Sequence, residues 1–148
     1  MAWHWVTSKD RYDKLHRILK KDGSVAFLWS YQEKENSAYV KEVGKILDKY
    51  DKVDRGPSGS LVKESIKSAY NELKESGLFT SLKKRTYQAD IEFTKQRYLD
   101  LIISYGWVQV LPKEKINEMI RDILTLHEKY TDPIMIPYKY EMILAKKA

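Results

Sequence analysis

Over residues 9–29 an amphipathic helix runs directly into a wholly apolar strand, and that step most restricts the architectures open to this chain. Tyr12, Leu15, Ile18 and Leu19 recur at helical spacing and form one apolar face. Ser8 stands where a helix cap is expected, and Gly23 supplies a left-handed stop, which gives a helix over about 9–21. Val25 to Trp29 follows at once, five apolar residues in a row. A strand apolar on both faces needs a layer on each side, as in a parallel α/β sheet, so the segment reads as one αβ step of a wound sheet. The stretch before it, Ala2-Trp3-His4-Trp5-Val6, sets a histidine among large aromatics. In α/β folds ligands gather at the carboxyl ends of strands, and such a cluster ahead of an αβ step is expected there.

The remaining chain extends the pattern. Tyr39, Val40, Val43, Ile46, Leu47 and Tyr50 mark a helix over about 36–50, and residues 51–60 form the clearest loop. Val62, Ile66, Ala69, Tyr70 and Leu73 mark a helix over about 61–76, ended by Gly77. Segment 82–93 is strand-like, with Tyr87, Ala89, Ile91 and Phe93 alternating against charge. Thr94 caps a helix through about Ile103, and Pro112 opens another whose face is Ile116, Met119, Ile120, Ile123, Leu124 and His127, running to about Tyr130. The tail reads as a strand with Ile134, Ile136, Tyr138, Tyr140, Met142 and Leu144 on its inward side. The expected fold is α/β, one domain over 1–148, with a helical insertion at about 36–77. A small mixed sheet of three main strands, the last antiparallel, carries about five helices.

Composition removes several functions. With no cysteine among 148 residues, disulfides, thiolate zinc sites and a cysteine nucleophile are excluded, which fits a cytoplasmic protein. Apolar runs of about five residues fall far short of the roughly 20 that a membrane span requires. The formal charge is +6, but 27 basic and 21 acidic residues are interspersed. The one basic cluster, Lys83-Lys84-Arg85, lies in a strand-like segment and reads as a solvated edge, so nucleic acid is not the expected partner. No Gly-x-Ser-x-Gly elbow is present, so hydrolase chemistry has no support. His16 and His127 stand singly on helices and read as structural. No metal site is expected, because one needs three or four converging ligands.

Four segments carry a family resemblance when taken in order: AWHWV, RILKKDGSVAFLW, RYLDLIISYGWVQVLPKEKINEMI and IPYKYEMILAKK. They resemble the class I S-adenosylmethionine-dependent methyltransferases, in the small-molecule branch related to methyltransferase type 11. The first resembles the end of that family's fourth strand, the second the helix leading to its fifth strand, and the last its final antiparallel strand. Lys21-Asp22-Gly23-Ser24 stands where the family form has proline-glycine-glycine, so the proline and second glycine are missing. The family binds its cofactor with a glycine-rich loop after the first strand and an acidic residue ending the second. None of the 6 glycines here flanks a plausible strand-to-helix loop; Gly56 and Gly59 fall between two helices. The chain therefore looks like the back half of such an enzyme without its main cofactor half.

By that resemblance His4 lies where the cofactor methyl meets the substrate, and an imidazole there could accept a proton. The alternative is a terminal histidine that is simply packed or loosely held. Trp5 and Trp29 would border the substrate, and Trp3 would offer the sulfonium an aromatic face, against the alternative that tryptophans pack the core. Ser104 and Tyr105 resemble a pocket-lining turn whose hydroxyls would bind substrate, against a plain helix-end turn. The resemblance implies S-adenosylmethionine as cofactor, none of it bound by this chain alone, and a small-molecule substrate. The strand at Val25–Trp29 is expected to leave an open edge, which would serve a homodimer or a separate N-terminal half.

Overall fold

The computed structural model describes residue 3, residues 6–51 and residues 60–148. His4, Trp5 and most of the 51–60 loop, including Gly56 and Gly59, lie outside the described residues. The elements run α1 (Arg11–Ile18), β1 (Ser24–Gln32), a 3-10 turn (Lys34–Asn36), α2 (Ala38–Leu47), α3 (Ser60–Glu75), β2 (Phe79–Phe93), α4 (Lys95–Ile103), α5 (Gly106–Gln109), α6 (Lys113–His127) and β3 (Ile134–Lys147). The chain is α/β, and its three-stranded sheet has the order β1-β3-β2. Lys147 N donates to Gly23 O and Glu33 N to Pro137 O, so β3 runs antiparallel to β1. Ala148 N donates to Leu78 O, and Thr86 meets Glu141, so β3 is antiparallel to β2 as well. The antiparallel last strand is as expected, but it occupies the centre and is antiparallel to both neighbours, so the sheet is antiparallel rather than mixed, an arrangement compatible with a partial Rossmann-like fold. Among the described residues no helix is long and apolar enough to cross a membrane.

Two compact units divide the chain. The first comprises Met1–Tyr31, Gly59–Gln88 and Lys139–Ala148; the second comprises Gln32–Ser58 and Ala89–Tyr138. Each buries its own core. In the first, Tyr12 of α1 and Ile66, Ala69 and Leu73 of α3 pack on Phe27, Trp29, Phe79, Ile143 and Ala145. In the second, α2, α4 and α6 bring Tyr39, Val43, Tyr98, Ile102, Met119 and Ile123 onto Phe93, Ile134 and Ile136.

Several local expectations hold because the chemistry is local. Thr94 accepts from Arg97 N at the start of α4. Gly77 adopts φ +66 just past α3, where a Cβ would be strained. Others are corrected. α1 begins after Asp10, and Ser8 spends its hydroxyl on the Asp10 carboxylate instead of capping the helix. The left-handed residue after α1 is Asp22 (φ 61), not Gly23. Gly23 is instead a close-approach position, since a Cβ there would lie 2.8 Å from the Lys20 carbonyl oxygen. α6 ends at His127 rather than Tyr130.

The burial of β1 also departs from expectation. Phe27 and Trp29 are buried while Leu28 is 61% exposed, so only one face of this strand is covered within its unit. An apolar run had implied two covered faces, but β1 is an edge strand of an antiparallel sheet, where one face can stay open. β3 changes its inward parity along its length. Ile134 and Ile136 are buried in the second unit, and Glu141, Ile143 and Ala145 in the first, so the single even-numbered alternation does not extend past Tyr140. On the helices, Ile18 (74%) and Leu124 (46%) are exposed although the periodicity places them inward.

Candidate functional site

In the second unit, the carboxyl end of β1 places Gln32 directly across from Tyr138 of β3, as the antiparallel register requires. Gln32 Nε2 donates to the Tyr138 hydroxyl at 3.0 Å. Tyr98, on the inner side of α4, donates from its hydroxyl to Gln32 Oε1 at 2.6 Å. The Thr94 cap fixes where α4 starts and so brings Tyr98 to this point. Phe93, the last residue of β2, backs the cluster: it meets Tyr98 edge-on at 5.5 Å and stacks on Tyr138 at 6.2 Å. Tyr105 joins from the short link between α4 and α5, where the chain turns and Tyr105 precedes Gly106. Carboxyl ends of strands are where α/β folds collect ligands, and this group of one amide and three phenols lies at such an end.

Electrostatics define what the cluster can do. Burial pushes the Tyr98 phenol well above its ordinary range; Tyr105, Tyr39 and Tyr138 add to this and the Gln32 hydrogen bond opposes it. Burial, reinforced by Tyr138, pushes Tyr105 up to about 12. Both phenols are therefore neutral near pH 7 and act as hydrogen-bonding groups rather than as bases. What the arrangement offers is positioning.

A second polar pair lies deeper in the same unit. The Tyr39 hydroxyl and His127 Nε2 form a 2.7 Å hydrogen bond, with Tyr39 2% and His127 5% exposed. Tyr98 and Tyr130 stand edge-on to Tyr39, each at 5.1 Å. Burial holds the imidazole below its ordinary range; Lys95 pushes the same way and Asp132 opposes. His127 is buried and hydrogen-bonded to Tyr39, in keeping with a structural role on an apolar helix face. Among the described residues no group of three or more His, Asp or Glu converges as a metal site would.

The tryptophans occupy the first unit. Trp29 is 4% exposed and stacks on Phe27 at 6.2 Å. Trp3 meets Phe27 edge-on at 5.0 Å and donates from Nε1 to the Tyr12 hydroxyl at 3.1 Å. The Arg11 guanidinium stands over both rings, 5.4 Å from Trp3 and 5.2 Å from Tyr12, and pairs with Glu72. The face of Trp3 thus already carries a cation. Ser104 caps the end of α4 and donates to the Leu101 carbonyl at 2.7 Å. The structure accordingly groups Trp3 with Trp29 through Phe27, and Tyr105 with Tyr98 and Tyr138. The sequence reading passed over Gln32 and Tyr98. Tyr98 sits at helical spacing with Ile102, which was a usable signal; Gln32 becomes informative only once β1 and β3 are paired.

No family model matches the chain. It is similar to a protein of Schizosaccharomyces pombe named as an uncharacterized methyltransferase, with 26% identity over 127 residues. The match covers 83% of this chain and 46% of that protein, so the chain spans about half the length of the curated relative.

Proposed function

We propose that this chain supplies the acceptor-binding part of an S-adenosylmethionine-dependent methyltransferase that acts on a small molecule in the cytoplasm. The observation that carries the reading is the likeness, over 83% of the chain, to a protein named as a methyltransferase. The α/β architecture is compatible with it. The neutral phenol and amide groups around Gln32 suit a reaction whose catalysis is mainly alignment of acceptor and methyl for in-line attack. Within the second unit, Ser104 and Tyr105 are the proposed acceptor-side residues.

The cofactor is held elsewhere than on these residues. Gly23 precedes β1, Gly44 lies inside α2, Gly77 separates α3 from β2 and Gly106 opens α5. None of these four follows a strand into a helix, which is the setting a phosphate-binding or cofactor-binding glycine loop requires. Titration calorimetry of the isolated chain with S-adenosylmethionine is expected to show no micromolar binding, and micromolar binding would overturn this part of the reading. Methyl transfer to a small-molecule panel should appear only when a glycine-loop half is supplied, joined or mixed. Its absence then would sink the methyltransferase reading.

A second reading, of an interaction module, is favoured by the edge of β1. Gly23 and Glu33 bond to β3, so the even-numbered backbone groups between them face away from it. Ser24–Gln32 contains no charged residue, whereas β2, the opposite edge, carries Lys83, Lys84 and Arg85. Charges blunt an edge and their lack leaves it open to pairing. The partner is a second copy or a separate cofactor-binding half. Light scattering well above micromolar concentration is expected to report a dimer that Leu28→Lys converts to monomer; a wild-type monomer there counts against self-pairing.

A further inference from the structure

Charges that are interspersed along the sequence are segregated by the fold. The first unit carries 15 Lys and Arg against 7 Asp and Glu, a net +8, and the second carries 12 against 14, a net −2. The excess positive charge thus lies in the first unit, and part of it is arranged on one face of the sheet there. Thr86 Oγ1 donates to Glu141 Oε2 at 2.8 Å, and Lys84 Nζ lies 3.8 Å from the same oxygen, so these three side chains share a face. Glu141 alternates with Ile143 and Ala145, which pack with Tyr12 of α1 and Leu73 of α3, so theirs is the helix-covered face. Successive side chains of a strand point to opposite faces, which sets Lys83, Arg85 and Tyr87 of β2 on the other face, together with Tyr140 and Met142 of β3. Leu28 stands on that face too, 61% exposed between buried Phe27 and Trp29. Among the described residues of this unit no helix covers it.

Lys83 and Arg85 are exposed and have no carboxylate partner among the described residues, and Tyr87 is 54% exposed. The three stand in a row, about 6.7 Å from one to the next along the strand. Cations alone attract any anion, but an open ring in line with them adds stacking, which only a ligand with flat faces can use. An acidic polypeptide would satisfy the cations and leave the ring idle. Met142 and Leu144 are half-buried, so Leu28 is the large aliphatic side chain most open on this face, too small an area to anchor on lipid. We propose that this face of β2 binds single-stranded nucleic acid, with Lys83 and Arg85 on phosphates and Tyr87 stacked on a base. The proposal concerns the first unit and does not rest on the reading of the second as the acceptor side of a methyltransferase.

The test is fluorescence anisotropy of the full chain with a labelled oligouridylate of about 12 nucleotides, across a range of salt. A Kd of about 1–100 μM is expected at about 50 mM salt, with log K falling against log salt by about 0.7 for each phosphate contact. Lys83→Gln combined with Arg85→Gln should reduce that slope by about 1.4, whereas Tyr87→Ala should weaken binding about tenfold and leave the slope as it is. Lys63→Gln combined with Lys67→Gln removes the same charge from exposed positions on α3 and should leave the slope unchanged. No binding by the wild type, an equal loss in the α3 double variant, or an unaffected Tyr87→Ala variant overturns the proposal. Polyglutamate that competes as well per charge as the oligouridylate would overturn it in favour of an acidic polypeptide. Phosphatidylserine vesicles that bind through Lys83 and Arg85 while the oligouridylate does not would overturn it in favour of a membrane.

Discussion

His127 is a neutral imidazole hydrogen-bonded to a buried tyrosine, and that has a consequence for stability. Burial lowers its folded-state proton affinity, with Lys95 adding to the effect. The unfolded chain, with an ordinary histidine near 6.5, then binds a proton at a pH where the folded chain does not. The stabilisation is fully present above the unfolded value and is lost as pH falls through it toward the lower folded value. The urea midpoint of the wild type is therefore expected to drop between about pH 7.5 and 5.5 by more than that of His127→Gln. Equal slopes for the two proteins would remove His127 as the cause. At the same scale, Arg11 shows why a sequence suggests roles that a structure reallocates. Trp3 looks available to a sulfonium on chemistry alone, yet an arginine eight residues on stands over its ring and is anchored by Glu72 of α3.

Among elements, boundaries set by neighbouring residues were legible and those set by distant packing were not. Thr94 is three residues from the amide it accepts from, and the helix start it marks is where periodicity put it. Replacing it by alanine leaves that amide without its side-chain partner. Thr94→Ala is expected to cost about 1 kcal/mol in urea unfolding, with faster amide exchange in the first turn of α4; an unchanged midpoint would show that the cap contributes nothing. Ser8 has the same chemistry, but the Asp10 carboxylate competes for its hydroxyl, and the helix begins two residues later. Gly44 lies mid-helix, where an added Cβ would meet only the flexible end of Lys34. The glycine at 23, by contrast, faces the rigid Lys20 carbonyl, a constraint no local pattern encodes.

At the scale of the molecule, two cores that share no buried residue divide the apolar content. Ile143 in one and Ile123 in the other are both fully buried. Alanine at either is expected to cost about 2–5 kcal/mol, with loss of amide protection appearing first in α3 for Ile143→Ala and in α6 for Ile123→Ala. Simultaneous loss in both helices for either variant would show one cooperative unit instead.

By itself the sequence determined the α/β class, the caps at Thr94 and the stop at Gly77, most helix faces and the antiparallel final strand, because these follow from spacing and from contacts within a few residues. Only the tertiary structure decided that β3 lies between β1 and β2, that β3 reverses its buried parity after Tyr140, and that Gln32 meets Tyr98 and Tyr138. The reason is that strand pairing joins residues some hundred positions apart, as Gln32 and Tyr138 are. Which side of a strand is buried depends on what packs there, and periodicity records alternation without recording the partner.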